Sequence, residues 1–201
     1  DDEKVCGMRP KTGAEIISFG FGNGADIFAS NYKISEDGVS FKMDCKGSSV
    51  PVRLKNVFGK HFVYAALSAA AVGIIFEMNL IEISEALSKY QAPPGRLKLL
   101  PGIKNSLILD DSYNASPLAT EASLVTLKEL EAAGKIVAFG DMLEIGKFTI
   151  SAHQAIGEKI AKIADYFISV GPRSKFAAEE AIAQGMEKSK VINFSTSQEA
   201  A

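Results

Sequence analysis

The chain has 201 residues, of which 47% are hydrophobic and 23% are charged, and its formal net charge at pH 7 is −2. This composition is typical of a soluble globular protein, and the length allows one large domain or two small ones. No cluster of Lys and Arg is dense enough to predict binding to nucleic acid or to an anionic membrane. The longest apolar stretch, residues 65–76, is too short to span a bilayer.

The ends of the sequence resemble internal positions of a longer chain. The sequence opens at residues 1–4 (Asp-Asp-Glu-Lys) without an initiator Met or a signal peptide, and it stops at residues 197–201, where a helix begins. We therefore interpret both ends as cuts. Cys6 and Cys45 are far apart and lack metal-type spacing, so we expect free thiols and a cytoplasmic location.

The first half of the chain predicts β-structure followed by helices. Short apolar runs separated by Gly, Asn, Asp and Ser predict strands, and the pattern then becomes helical. Two consecutive prolines and a glycine at residues 93–95 interrupt the helical pattern, so we predict a domain boundary near residue 93, with domains at 1–92 and 93–201. The predicted elements are strands at 15–21, 26–34, 38–45 and 49–54 and helices at 57–76 and about 80–90.

The second half predicts an α/β fold with a doubly wound parallel sheet. Apolar runs alternate with amphipathic segments, and this alternation is typical of βαβ units with right-handed crossovers. In the segment 150–163, for example, Ile156, Ile160 and Ile163 form one stripe, as a helix lying on a sheet requires. The predicted strands are 106–110, 135–139, 165–170 and 190–194, and the predicted helices are about 117–132, 150–163 and 174–185.

The segment 107–117 predicts a ligand site at the end of a strand. The apolar residues 107–109 predict a buried strand of the parallel type, and two carboxylates, Asp110 and Asp111, follow it directly. Ser116 and Pro117 then predict the N-cap and the first position of a helix. Open α/β sheets bind ligands at the carboxyl ends of their strands, so Asp110, Asp111, Tyr113 and Asn114 are candidates. The alternative for an Asp-Asp pair is a solvated turn.

Three segments together resemble the Mur ligases, the ATP-dependent enzymes that assemble the peptidoglycan stem peptide. They are Pro-Pro-Gly-Arg-Leu at 93–97, Asp-Asp-Ser-Tyr-Asn-Ala at 110–115, and Gly-Asp-Met-Leu-Glu-Ile-Gly at 140–146, which His153 follows. The second segment is the version found in the branch that adds D-Ala-D-Ala. The resemblance implies that residues 1–92 are the last part of the central ATPase domain. It also implies that residues 93–201 are most of a Rossmann-like C-terminal domain.

The resemblance also implies an activity. In this family, ATP and Mg²⁺ activate a carboxylate as an acyl phosphate, and an amine then attacks it. For the branch indicated here, the substrates are UDP-MurNAc-tripeptide and D-Ala-D-Ala, and the enzyme is a monomer. No G-x-x-x-x-G-K-S/T phosphate loop occurs in the 201 residues, so ATP and Mg²⁺ need residues upstream. We therefore expect this fragment alone to be inactive and assign it no catalytic residue and no metal ligand.

The family motifs assign nucleotide-binding residues. A guanidinium on a constrained linker suits phosphate binding, and the family Arg at the position of Arg96 contacts ATP. By resemblance Asp111 contacts the ribose, whereas Asp110 is structural and accepts backbone N–H bonds in the turn. Tyr113 and Asn114 are expected to line the adenine or the closed interdomain cleft. The alternative for Arg96 is a surface residue in a loop.

A further nucleotide-binding prediction falls in the first half of the chain. His61 matches the His of the family pattern G-x-H-N-x-x-N, but Phe62 and Ala65 stand at the two Asn positions. Phe62 could stack on a base, although an aromatic residue in an apolar helix is more often part of the core. The two departures leave a non-catalytic Mur-like binding module as one alternative, and a sister ligase that adds another amino acid is the other.

Three residues near the third motif have predicted roles. Asp141 and Glu144 could bind the substrate amine, because a free amine needs an acceptor to orient it, while Asp141 could equally just terminate the strand. His153 lies close to the apolar stripe of the helix 150–163. We expect it to be a hydrogen-bonded packing residue and not a catalytic base.

Overall fold

The computed structural model describes residues 1–35 and 37–201. The chain folds into two units, Asp1–Pro93 and Pro94–Ala201. The division falls between two prolines, where the chain cannot continue a helix. Within the described part of the chain, no helix is both long enough and apolar enough to cross a membrane.

The first unit is built on a four-stranded sheet in the order β1-β2-β3-β4. β1 runs parallel to β2, and the other neighbours are antiparallel. Every second side chain of β3 faces the core, where Val39, Phe41 and Met43 are buried. The strands are β1 (Phe19–Gly20), β2 (Ile27–Ser35), β3 (Gly38–Cys45) and β4 (Ser48–Lys55).

Helices complete the first unit. α1 (Glu3–Cys6) is a single turn, α2 (Lys60–Ile75) packs on the sheet, and α3 (Leu80–Ser88) lies against β4. α2 begins after Gly59, whose φ of 96° stops the helix from extending toward residue 57. α3 begins with a capping box in which Asn79 and Glu82 exchange hydrogen bonds.

The strands and helices predicted for the first half are present, with one shortened. The predicted strand 15–21 is reduced to the two residues of β1. The N–H of Ser18 donates to Asp26 Oδ2 at 2.8 Å and so is taken by a side chain instead of a neighbouring strand. A local side-chain acceptor of this kind competes with the sheet ladder.

The second unit has two sheets. β7, β8 and β9 form a parallel sheet in that order, and β5 pairs with β6 alone. Short 3-10 turns occur at Arg9–Lys11 in the first unit and at Ile103–Asn105, Gly146–Phe148 and Lys188–Lys190 in the second. In chain order the elements of the second unit are β5 (Lys98–Pro101), β6 (Leu107–Asp110), α4 (Pro117–Glu129), β7 (Ile136–Gly140), α5 (Thr149–Ala161), β8 (Tyr166–Val170), α6 (Ser174–Ala183), β9 (Val191–Phe194) and α7 (Ser197–Ala200).

The core of the second unit lies between the parallel sheet and the helices. Alternate residues of β7 and β8, such as Val137, Phe139 and Phe167, pack against Ile156 and Ile160 of α5 and against the alanines of α6. The alternation of strands and helices predicted from the sequence is confirmed, and the fold class is α/β.

The pairing predicted for residues 107–109 was wrong. β6 pairs antiparallel with β5, a strand that the sequence analysis did not predict, and Leu107 and Ile108 are 52% and 51% exposed. The cause is local. The N–H of Gly102 donates to the carbonyl of Ser106 at 2.8 Å and closes a turn that brings the preceding segment alongside β6. A three-residue apolar run cannot by itself distinguish these two pairings.

Candidate functional site

The turn at Gly95–Leu97 is bonded to the segment that follows β6. The N–H of Leu97 donates to Asp111 Oδ1 at 3.3 Å, and the N–H of Tyr113 donates to the Gly95 carbonyl at 3.2 Å. Gly95 has a φ of 72°, and a Cβ there would lie 3.0 Å from the Tyr113 nitrogen. Glycine is therefore required by both backbone conformation and space. These bonds bring Arg96 beside Tyr113.

The Arg96 side chain lies on the face of the Tyr113 ring. Its guanidinium carbon is 4.1 Å from the ring centroid, which is a cation–π contact. Tyr113 is 70% exposed, and Arg96 is exposed as well. Among the described residues, none of the ion pairs formed includes Arg96. The guanidinium edge is therefore available to an anion.

Asp111 is half-buried and held on both carboxylate oxygens. Oδ1 accepts from Leu97, and Oδ2 accepts from the hydroxyl of Ser123 on α4. Ser123 was missed by the sequence analysis, because only the packing of α4 brings it to Asp111. A carboxylate oxygen can accept more than one hydrogen bond, so this arrangement fixes the orientation of Asp111 and leaves acceptor sites for a ligand hydroxyl.

Asp110 and Ser116 have the structural roles predicted for them. Asp110 Oδ1 accepts from the N–H of Ser112 at 3.1 Å, and hydrogen bonds from Ser112 lower the pKa of Asp110 below its ordinary value of 3.8. Ser116 caps α4 by accepting from the N–H of Ala119, and Pro117 occupies the first turn. Asn114 is exposed, and its Oδ1 accepts from the N–H of Ala115.

Replacing Asp110 by Asn is expected to make the second unit less sensitive to acid. The folded-state pKa of Asp110 lies below 3.8, so its carboxylate stabilises the fold at neutral pH, and that stabilisation is lost as the pH falls below 3.8 toward the folded value. The free energy of unfolding of wild type and of Asp110→Asn is measured with urea between pH 7 and pH 2. The two plots of this free energy against pH should converge at the acid end. A constant difference at every pH would contradict this assignment.

Asp141 caps a helix of its own unit. It follows β7, and its Oδ1 accepts from the N–H groups of Arg173 and Ser174 at 2.9 and 2.7 Å, at the start of α6. A carboxylate at a helix N-terminus also interacts favourably with the helix dipole. The structure therefore gives Asp141 a helix-capping role that the sequence analysis did not predict. Glu144 is exposed with a φ of 63°. Substrate binding by Asp141 and Glu144 stays a prediction.

His153 is a packing residue, as predicted. It is fully buried, its Nε2 accepts from the N–H of Met142 at 3.0 Å, and its Nδ1 lies 2.7 Å from the Thr149 carbonyl. A proton on Nδ1 satisfies both contacts, because the carbonyl can only accept. His153 thus ties the loop after β7 to α5.

The prediction that Phe62 belongs to the core is confirmed. In α2 of the first unit it is 9% exposed, and its ring centroid lies 4.5 Å from that of His61. His61 and Ala65 are exposed on the same helix. The nucleotide-binding role of His61 stays a prediction.

Of the residues predicted to bind nucleotide, the structure brings Arg96, Asp111 and Tyr113 together in the second unit, with Asn114 directly after them. This cluster offers a guanidinium for a phosphate, a fixed carboxylate for a hydroxyl, and an aromatic ring. In the part of the chain that the structure describes, no group of three or more His, Cys, Asp or Glu side chains could hold a metal ion.

Comparison with known proteins relates the chain to one family. The model of the family described as Mur ligase, glutamate ligase domain matches residues 95–201. The UDP-N-acetylmuramoyl-tripeptide–D-alanyl-D-alanine ligase of Escherichia coli (strain K12) is 34% identical over 152 residues, which cover 75% of this chain and 33% of that protein. The chain spans about a third of the length of this protein and of other curated relatives that it matches.

Solved structures agree with this relationship. A crystal structure of MurF from Acinetobacter baumannii superposes with a TM-score of 0.84 and 27% identity, covering 100% of this chain and 42% of that one. The MurF ligase of Thermotoga maritima, solved in complex with ADP, has a TM-score of 0.73 and 22% identity, covering 99% of this chain and 49% of that one. At this identity the second likeness concerns the fold alone.

Proposed function

The chain belongs to the Mur ligase family, and from this premise we propose that it forms part of an ATP-dependent ligase that adds D-Ala-D-Ala to UDP-MurNAc-tripeptide in peptidoglycan synthesis. The observation that supports this most is the motif of residues 110–115, bonded to the Gly95–Leu97 turn. The 34% identity to an enzyme named for this reaction supports the choice of branch.

We propose that Arg96 and Asp111 bind ATP. The exposed guanidinium of Arg96 suits a phosphate group, which it can bind with two parallel N–H bonds. Asp111, oriented by Leu97 and Ser123, suits a ribose hydroxyl. Bound ATP would supply a phosphoryl group to the substrate carboxylate with release of ADP. Attack by the amine of D-Ala-D-Ala on the activated carboxyl group would then form the amide and release inorganic phosphate. The described residues include no cluster of side chains that suits Mg²⁺.

We propose that the first unit is the end of the central ATPase domain and that the second is the C-terminal ligase domain. Because the 201 residues contain no phosphate loop, we expect them to turn over no ATP alone. The cytoplasmic location and the monomeric state of the full-length protein stay predictions.

The experiment that tests the proposal is ADP release by the full-length gene product. It is given UDP-MurNAc-tripeptide and ATP with Mg²⁺, with and without D-Ala-D-Ala. We expect turnover only when the dipeptide is present, and none from residues 1–201 alone. Turnover that does not depend on the dipeptide would reject the assigned acceptor.

A non-catalytic Mur-like module is the second candidate, and one observation favours it. Phe62, which is buried, and Ala65 both lack a side-chain amide, so neither can make the hydrogen bonds of the two family Asn residues. The test gives folded full-length protein ATP and each of four acceptors in turn, namely D-Ala-D-Ala, diaminopimelate, lysine and D-glutamate, each with the precursor that it is normally added to. Absence of ATP turnover with all four would favour this candidate.

A further inference from the structure

We propose that Tyr113 is a positioning residue that acts through Arg96, holding the guanidinium in the orientation that binds the nucleotide. This inference rests on the proposed function of Arg96. The expectation that Tyr113 lines the adenine or the closed interdomain cleft stays a prediction. One face of the Tyr113 ring is covered by the Arg96 guanidinium, whose carbon lies 4.1 Å from the ring centroid.

The backbone around the two residues fixes their relative position. The N–H of Tyr113 donates to the Gly95 carbonyl at 3.2 Å, and the N–H of Leu97 donates to Asp111 Oδ1 at 3.3 Å. Arg96 thus lies between Gly95 and Leu97, each of which forms one of these hydrogen bonds. Tyr113 is the partner of Gly95. Leu97 is 3% exposed and anchors the turn in the core, although its φ is 46°. Both Cα atoms are therefore held while the two side chains stay at the surface.

The ring supplies what the backbone cannot, which is a preferred direction for a long side chain. An exposed arginine has considerable rotamer freedom, and this freedom is lost when it binds a ligand. Among the described residues no ion pair restricts Arg96, so the ring face is the contact that orients it. A guanidinium has five N–H donors, so one that lies over an aromatic ring can still donate to phosphate oxygens.

A double-mutant cycle on the full-length enzyme tests this inference through the KM for ATP. We expect Tyr113→Leu to raise that KM about two- to fivefold, the range expected for loss of an exposed cation–π contact. Arg96→Ala should raise it at least about tenfold, because a hydrogen-bonded charge is lost. In the Arg96→Ala background, Tyr113→Leu should have no further effect.

Two control variants separate orientation from other roles of the tyrosine. Tyr113→Phe retains the ring face and should keep the KM for ATP of the wild type. Tyr166→Leu removes an exposed tyrosine of the same unit, on β8, and should also leave that KM unchanged. Equal effects of Tyr113→Leu in both Arg96 backgrounds, or a Tyr113→Phe variant as impaired as Tyr113→Leu, would overturn the inference.

A measurement that does not depend on catalysis can test this inference separately from the proposed function. In NMR spectra of residues 1–201, ring currents should shift the Arg96 side-chain protons upfield in wild type and Tyr113→Phe but not in Tyr113→Leu. Absence of this shift in wild type overturns the inference whatever the enzyme does. Absence of turnover with the shift present rejects the proposed function alone.

Discussion

Replacing Gly157 by Ala is expected to destabilise the second unit by about 3 kcal/mol, the cost of overpacking a close helix contact. Gly157 lies in α5, where α5 packs against α6. A Cβ at this position would be 2.2 Å from the carbonyl oxygen of Ala177 and 2.9 Å from its Cα. These atoms are backbone and cannot rotate away, so the helices have to separate, and the buried side chains of Ile156 and Ile160 would lose contacts.

The sign of this effect makes the prediction specific. Ala is preferred to Gly inside a helix by about 1 kcal/mol, so without the close approach the substitution would stabilise α5. Gly134→Ala, in the loop before β7, is a control for adding a Cβ without a clash, because a Cβ there meets only Asp165 Oδ2 at 3.6 Å, an ordinary contact. Urea unfolding of residues 1–201, followed by circular dichroism, compares the three proteins. A Gly157→Ala variant as stable as wild type, or more stable, would contradict the packing described here.

Replacing His153 by Leu is expected to cost about 2 to 3 kcal/mol of folding stability. Leu fills part of the space but cannot accept from the N–H of Met142, and Met142 is fully buried. A buried donor left without an acceptor costs about 1 to 3 kcal/mol, and the bond to the Thr149 carbonyl is lost as well.

A neighbour on the same helix provides the control for His153. Gln154 is exposed on α5, so Gln154→Leu should change the free energy of unfolding by less than about 0.5 kcal/mol. Hydrogen exchange at the Met142 amide gives a local readout, and it should be much faster in His153→Leu than in wild type. Unchanged stability and unchanged exchange would show that this hydrogen bond does not hold the loop.

The sequence predicted most elements of the second unit because their apolar runs are long and well separated. β7, β8 and β9 and the helices between them follow the predicted order. It did not predict β5, where only Leu99 and Leu100 are apolar and Pro101 follows. Which strands pair depends on the turn at Gly102–Ser106, and no periodicity in the flanking residues encodes that turn.

Family motifs identified residues of the candidate site, but not the contacts that orient them. Arg96, Asp111 and Tyr113 were named from the motifs, whereas Ser123 was missed because its position depends on how α4 packs. Asp141 shows the same limit: its partners at Arg173 and Ser174 follow 32 and 33 residues later in the chain. Local patterns predict residue types and helix caps, and long-range contacts need the fold.

The measurement that tests the central proposal most directly is the mass of the ligation product. Full-length protein is incubated with UDP-MurNAc-tripeptide, ATP, Mg²⁺ and an equimolar mixture of D-Ala-D-Ala, diaminopimelate, lysine and D-glutamate. We expect a single new species, equal in mass to the tripeptide precursor plus D-Ala-D-Ala minus water, and we expect its yield to fall sharply in Arg96→Ala. A product containing a different acceptor, or no product from folded protein, would contradict the assignment to the D-Ala-D-Ala-adding branch.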